Sequence, residues 1–281
     1  MAKFAFLEIS YDPLITSDEE FSLYMSQFGF VLRSLHAMEQ TGFWTHGQAI
    51  FLSRKANIGT EPTVTGLGLI GTVSDINNIQ AEFDITTDFF VADNGKGFKT
   101  YIIQENQLDK NVVGTYNIVD LKTKSQDAIK QFSGIILNSN SNKVRDHYQA
   151  LGFRMTKNSD NYDTLVSEVN NFSLLLSKKE SNVSVPTIIA DTDDIFKTTA
   201  YFVSQNCEIP TFNEPPVENF GKLGYKINGY NCRAWGNENS YTIENFIRNF
   251  CGRLDFIVRQ RRKYLHILEH TVDSYYESSI Q

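Results

Sequence analysis

His266, Glu269 and His270 form one stretch of this 281-residue sequence in which residue type and spacing together suggest chemistry. On a helix, residues four apart share a face, so two imidazoles could hold one metal ion while the glutamate acts as general base toward a bound water. That chemistry also requires a further carboxylate ligand and a large helical domain. The triplet instead falls in the last 16 residues, after RQRRKYL. Short patterns outside their structural context arise readily by chance, and this one is read as coincidence. His36, His46 and His147 are isolated, and lone histidines are mostly surface or satisfied core residues. Cys207, Cys232 and Cys251 are an odd, scattered set without metal-ligand spacing, so they are expected to be free thiols in a reducing, cytoplasmic compartment.

The elements that must position any site recur twice. SVPTIIADTDDIFKTT (184–199) is an apolar β-branched run, a polar turn and the start of a helix, and GLGLIGTVSDINNI (66–79) has the same order. Asp75 and Asp194 take equivalent places, each followed by isoleucine. MSQFGFVLRS (25–34) is answered by YQALGFRMTK (148–157), AIFLSRK (49–55) by SLLLSKK (173–179), and FAFLEIS (4–10) by FSGIILN (132–138). A repeat this long argues for duplicated domains and against a solenoid, whose units are much shorter.

Taken in order, Phe4–Ser10 is a strand. Ser17 with Glu20 has the spacing of a capping box for a helix over 18–27, and Phe21, Tyr24, Met25 and Phe28 recur on one face. Strands are expected over 31–36 and 47–53 with TGFWTHG between them, then a helix after Asp75, and two strands around ADNGKG, a strong turn signal. The second half repeats the pattern, with helices over about 143–150 and 194–205. The segment 208–224 holds three of the six prolines and is expected to be an irregular loop. Strands follow in YKINGYNCRAW and SYTIENFI. Phe246, Ile247, Phe250, Leu254, Ile257 and Val258, then Leu265, Leu268 and Val272, recur at helical spacing and predict a helix over about 249–276. Within it Arg259, Arg261, Arg262 and Lys263 form a basic cluster, expected to be a solvated face. The expected domains are 1–122, 128–250 and a helical tail, 251–281.

Composition excludes some functions. A net charge of −7 argues against a general nucleic-acid binder, and no apolar run approaches the ~20 residues of a membrane span. The opening MAKFAFLEISYDP is broken by Glu8 and reads as a first strand, not a signal peptide.

Repeated βαβββ modules with Gly-Phe after the helix resemble the vicinal-oxygen-chelate superfamily of glyoxalases and extradiol dioxygenases, and most closely 4-hydroxyphenylpyruvate dioxygenases. KFAFLEIS and FGFVLRSLHAMEQTGFWTHGQAIFL resemble the N-terminal domain of that family, and SVPTIIADTDDIFKT and SYTIENFIR strands of its C-terminal domain. The resemblance implies an α+β fold of two tandem domains, each of paired βαβββ modules, followed here by a C-terminal helix.

It also implies Fe(II) held by two histidines and one carboxylate, with open positions for a 2-oxo acid and dioxygen. Carried over by position, the carboxylate is Glu244, the first histidine falls on Gly134 and the second on Thr187, and a substrate-facing glutamine falls near Asn231. No histidine lies in 132–138 or 184–192. The corresponding face of the first half, around Leu7, Gly68 and Thr100, carries no metal-binding side chain either. Gly134, Thr187, Asn231 and Glu244 are therefore expected to line a ligand pocket without a metal, in a non-catalytic protein binding a small, possibly aromatic molecule or serving assembly. The alternative is a non-haem Fe(II) dioxygenase acting on an aromatic 2-oxo acid through other ligands. The tail helix, in place of the family's Gly-rich gate, is expected to mediate a homo-oligomer or a larger protein complex.

Overall fold

The computed structural model describes residues 3–36, 41–46, 49–56, 58–59, 61–70, 90–93, 98–103, 129–138, 142–160, 162–167, 172–178, 186–209, 223–227, 230–237, 240–248 and 254–261. The first module comprises β1 (Lys3–Tyr11), α1 (Asp18–Gln27), β2 (Val31–His36), β3 (Thr41–His46) and β4 (Ala49–Lys55). The second contributes β5 (Thr63–Ile70), β6 (Phe90–Asp93) and β7 (Lys99–Ile103). The third is β8 (Gln131–Asn138), α2 (Asn142–Ala150), β9 (Phe153–Asn158), β10 (Tyr162–Ser167) and β11 (Ser173–Ser177). The fourth is β12 (Thr187–Asp191), α3 (Ile195–Ser204), β13 (Leu223–Ile227), β14 (Tyr230–Asn237), β15 (Ser240–Arg248) and β16 (Asp255–Arg261).

Local signals explain the helix ends. Ser17 and Glu20 close the reciprocal capping box of α1. Asp194 caps α3 by accepting from the Phe196 and Lys197 amides at 3.1 and 3.0 Å. Gly29 and Gly152 follow α1 and α2 with φ of 80° and 92°, the left-handed conformation that ends a helix and favours glycine. Their shared Gly-Phe is thus a helix stop. Within the segment TGFWTHG, expected as a connector, Thr41–His46 forms β3, which bridges β2 and β4 by antiparallel pairing. The helix expected after Asp75, most of the 208–224 loop and the 266–270 triplet lie outside the described residues.

Two mixed sheets result, ordered β2-β3-β4-β1-β5-β7-β6 and β13-β14-β15-β16-β12-β8-β11-β10-β9. In each module the last strand runs parallel beside the first: β4 on β1, β7 on β5, β11 on β8 and β16 on β12. The module pairs meet antiparallel at β1–β5 and β8–β12.

β16 corrects the expected tail. Residues 255–261 are not helical but form a strand between β15 and β12, so the C-terminal sheet continues to Arg261, beyond the expected boundary at 250. Asp255, Ile257 and Arg259 alternate with Phe256, Val258 and Gln260, and both sets have neighbours to face. Burial on two faces makes the run uniformly apolar at its start, and that uniformity mimics a helical stripe. Gln260 also accepts the Ile195 amide at 2.8 Å, fastening β16 to the start of α3.

The main core lies between the two sheets, on the faces that carry the helices. Phe28, after α1, stacks on Phe256 at 4.6 Å and meets Phe202 of α3 at 5.2 Å. Phe132 joins Phe30 and Phe51 at 5.2 and 5.1 Å, and Tyr201 donates its hydroxyl to the Gln27 carbonyl. Thr100 and Tyr148 share a hydrogen bond of 2.7 Å across the same interface. No helix among the described residues is long and apolar enough to cross a membrane.

Candidate functional site

The face of the C-terminal sheet turned away from this core carries a row of polar residues across five strands. Register places Arg233 of β14 opposite Glu244 of β15, Glu244 opposite Arg259 of β16, Arg259 beside Asp191 of β12, and Asp191 opposite Gln131 of β8. Arg259 donates through Nε to Asp191 Oδ1 at 2.9 Å and through Nη2 to Ser133 Oγ at 2.7 Å. Gln131 donates to the second Asp191 oxygen at 2.9 Å, and Arg261 approaches it at 3.8 Å. Burial pushes the Asp191 carboxyl up, but the charges of Arg259 and Arg261 and the donors on its oxygens outweigh that, so it stays below its ordinary value.

Glu244 is the opposite case. It is partly buried, and among the described residues no hydrogen bond reaches its carboxylate. Burial raises its pKa from 4.5 to about 7 against the opposing charges of Arg259 and Arg233. A carboxyl in that state exchanges its proton near neutrality and can accept a hydrogen bond from a ligand.

One row away the same face is apolar. Ile136, Ile189 and Ile257 are 0–3% exposed and form a separate cluster with Tyr162, flanked by Leu175 and Phe246. Gly134 pairs with Ile189 and Thr187 with Ile136, so both expected positions belong to this apolar patch, on adjacent strands. Glu244 shares the face but lies in the neighbouring row, separated from β12 by β16. The structure thus brings Glu244 to Arg259 and Asp191 rather than to Gly134 and Thr187.

These residues do not fit Fe(II). A Cβ built on Gly134 would stand 2.4 Å from the Ser173 carbonyl oxygen and 3.1 Å from Ile189 Cδ1, so a side chain at 134 meets backbone before it can reach a metal. The carboxylate of Asp191 is taken up by Arg259 and Gln131, and Glu244 faces two guanidinium groups, a setting that repels a divalent cation. Among the described residues no three His, Cys, Asp or Glu side chains gather as a metal site.

The other expected residues are dispersed. Asn231 stands on β14, paired with Lys226 of β13 and two residues before Arg233. Leu7 and Thr100 do not share a face with Gly68: both align with Leu67 toward the core, while Gly68 pairs with Phe6 and lies beneath its ring. On that outer face Glu8 is buried and accepts from Tyr101 at 2.8 Å and Thr65 at 2.9 Å. His147 is buried on α2, where desolvation lowers its pKa to about 4 and keeps it neutral. Cys207 and Cys232 are buried free thiols.

Arg259 and Asp191 were not apparent as site residues, since Arg259 was expected on a solvated helix face. Its signal is the short apolar run of DFIVRQR that ends in basic residues, as AIFLSRK and SLLLSKK do.

No protein-family model matches the sequence, and no curated protein matches it. Solved structures are nevertheless similar in fold. A xylose isomerase-like TIM barrel/4-hydroxyphenylpyruvate dioxygenase fusion protein superposes with a TM-score of 0.61 at 14% identity, over 92% of this chain and 49% of that one. The chain therefore spans about half the length of the fusion protein. A mutant of 4-hydroxymandelate synthase from Streptomyces coelicolor aligns over 92% of both chains, with a TM-score of 0.57 and 12% identity. Homoprotocatechuate 2,3-dioxygenase from Arthrobacter globiformis gives a TM-score of 0.53 at 12% identity, over 92% of this chain and 79% of that one. At such identities the likeness is one of fold, and it agrees with four modules whose last strand lies parallel beside the first: this chain has the vicinal-oxygen-chelate fold.

Proposed function

We propose that this protein is a metal-free, non-catalytic member of the dioxygenase-like fold that binds a small aromatic acid against the polar row around Glu244. The observation that carries the metal-free reading is the space at Gly134, which backbone and Ile189 close to any side chain. For binding, the support is Glu244 itself: a partly buried carboxylate that no hydrogen bond reaches among the described residues, between two guanidinium groups and beside Phe246. It can accept from a ligand hydroxyl while the arginines attract the ligand's carboxylate. The similar structures carry the names of 4-hydroxyphenylpyruvate, 4-hydroxymandelate and homoprotocatechuate, all hydroxylated aromatic acids.

The test is elemental analysis of protein purified without chelator, joined to thermal-shift titration with 4-hydroxyphenylpyruvate and 4-hydroxyphenylacetate. The expected result is far less than one iron per chain and a saturable rise in Tm that Glu244→Ala abolishes. One Fe(II) per chain, with oxygen uptake on an aromatic 2-oxo acid, would overturn the proposal.

A further inference from the structure

The polar row is neutralised from within. A guanidinium stays protonated and presents five donors in a planar fork, which suits it to several acceptors at once. Arg259 uses that fork on two other strands: Asp191 of β12 and Ser133 of β8, the neighbour of Gly134. Its third neighbour is Glu244 of β15, within its electrostatic reach. The one side chain thus ties together β8, β12 and β16 and partly balances the charge of β15. These strands are also those on which the resemblance places all three metal ligands.

We propose that Arg259 is the internal cation of the C-terminal sheet, neutralising charge and tying strands with a guanidinium as a bound ion would, and closing the site to divalent metals. The proposal rests on the metal-free reading above and adds the agent. A metal entering between Asp191 and Glu244 would have to displace the Arg259 fork and face the positive charges of Arg233 and Arg261. Among the described residues no other full positive charge stands as close to the buried Asp191 carboxylate as Arg259, at 2.9 Å against 3.8 Å for Arg261, so removing that side chain leaves it undercompensated.

The experiment compares wild type, Arg259→Met, Arg259→Lys and the double variant Asp191→Asn/Arg259→Met by thermal denaturation, each with and without millimolar Mn(II). Arg259→Met keeps the length of the side chain and loses its charge, and its Tm should fall by about 10 °C. Neutralising Asp191 as well should recover most of that loss, and Arg259→Lys should fall between. Mn(II) should leave the wild-type Tm unmoved. If Arg259→Met fails to fold, the comparison of Arg259→Lys with the double variant decides, because a purely packing role predicts that both fail equally.

The proposal is overturned by an Arg259→Met protein as stable as wild type, by a double variant no better than the single one, or by a saturable Mn(II) stabilisation of wild type. Iron found in wild type would defeat the metal-free reading whatever these variants do. A stable, iron-free Arg259→Met would defeat only the role of Arg259.

Discussion

Gly134 lies so close to Ser173 that a single methyl group at 134 would meet the Ser173 carbonyl oxygen at 2.4 Å. β8 and β11 pair in parallel through these two residues, so neither strand can yield without breaking its ladder. Gly134→Ala should therefore destabilise the protein by about 1–3 kcal/mol, the usual cost of overpacking, measured by urea denaturation. The paired change Gly134→His/Thr187→His should acquire no iron when purified with Fe(II). An unchanged urea midpoint for Gly134→Ala would show that the strands have room.

Glu244 makes stability depend on pH in an unusual direction for a carboxylate. The unfolded side chain ionises near 4.5 and the folded one at about 7, so between those values the folded state holds a proton that the unfolded state has lost. Stability from this group is fully present below about pH 4.5 and declines as pH rises to about 7. The size of the effect is at most about 3 kcal/mol. Glu244→Gln should match wild type at pH 4 and exceed it at pH 8 by up to that amount. Equal stabilities at both pH values would place Glu244 in a water-like setting.

Much of this architecture was legible in the sequence because it rests on local chemistry. Ser17, Glu20, Gly29, Gly152 and Asp194 mark helix ends through their own hydrogen bonds or φ, and the repeat of Gly-Phe exposed the duplication. Gly134 and Thr187, singled out by the resemblance, lie on the paired strands β8 and β12. β16 was not legible, because Phe256, Ile257 and Val258 are all buried and a run buried on both faces loses the period-two signature. The partnership of Arg259 with Asp191 depends on strands 68 residues apart in sequence coming into register, which no local pattern encodes. The third copy of the apolar-then-basic strand, after AIFLSRK and SLLLSKK, was the one available clue.

Phe28 joins the two halves. It is 4% exposed and touches Tyr24 from its own half, and Phe202 and Phe256 from the other. Truncation of a buried phenylalanine costs about 3–5 kcal/mol. For Phe28→Ala the lost contacts lie mainly between the halves, so calorimetry should show not only a lower Tm but a transition that broadens or splits. A single, equally sharp transition at the wild-type Tm would mean that the halves are held together elsewhere.

Truncation after Gly252 tests the corrected tail. A helix serving only assembly could be removed without harm to the fold, whereas β16 lies between β15 and β12 and buries Phe256, Ile257 and Val258 to 3% exposure or less. Its loss separates β13, β14 and β15 from the rest of the sheet and uncovers the α3 amide that Gln260 caps. The chain ended at Gly252 should therefore lose near-ultraviolet circular dichroism and bind a hydrophobic dye, while a chain ended at Lys263 keeps every described strand and serves as the control. If the shorter chain retains the spectrum and stability of the longer one, β16 is not a strand on which this sheet depends.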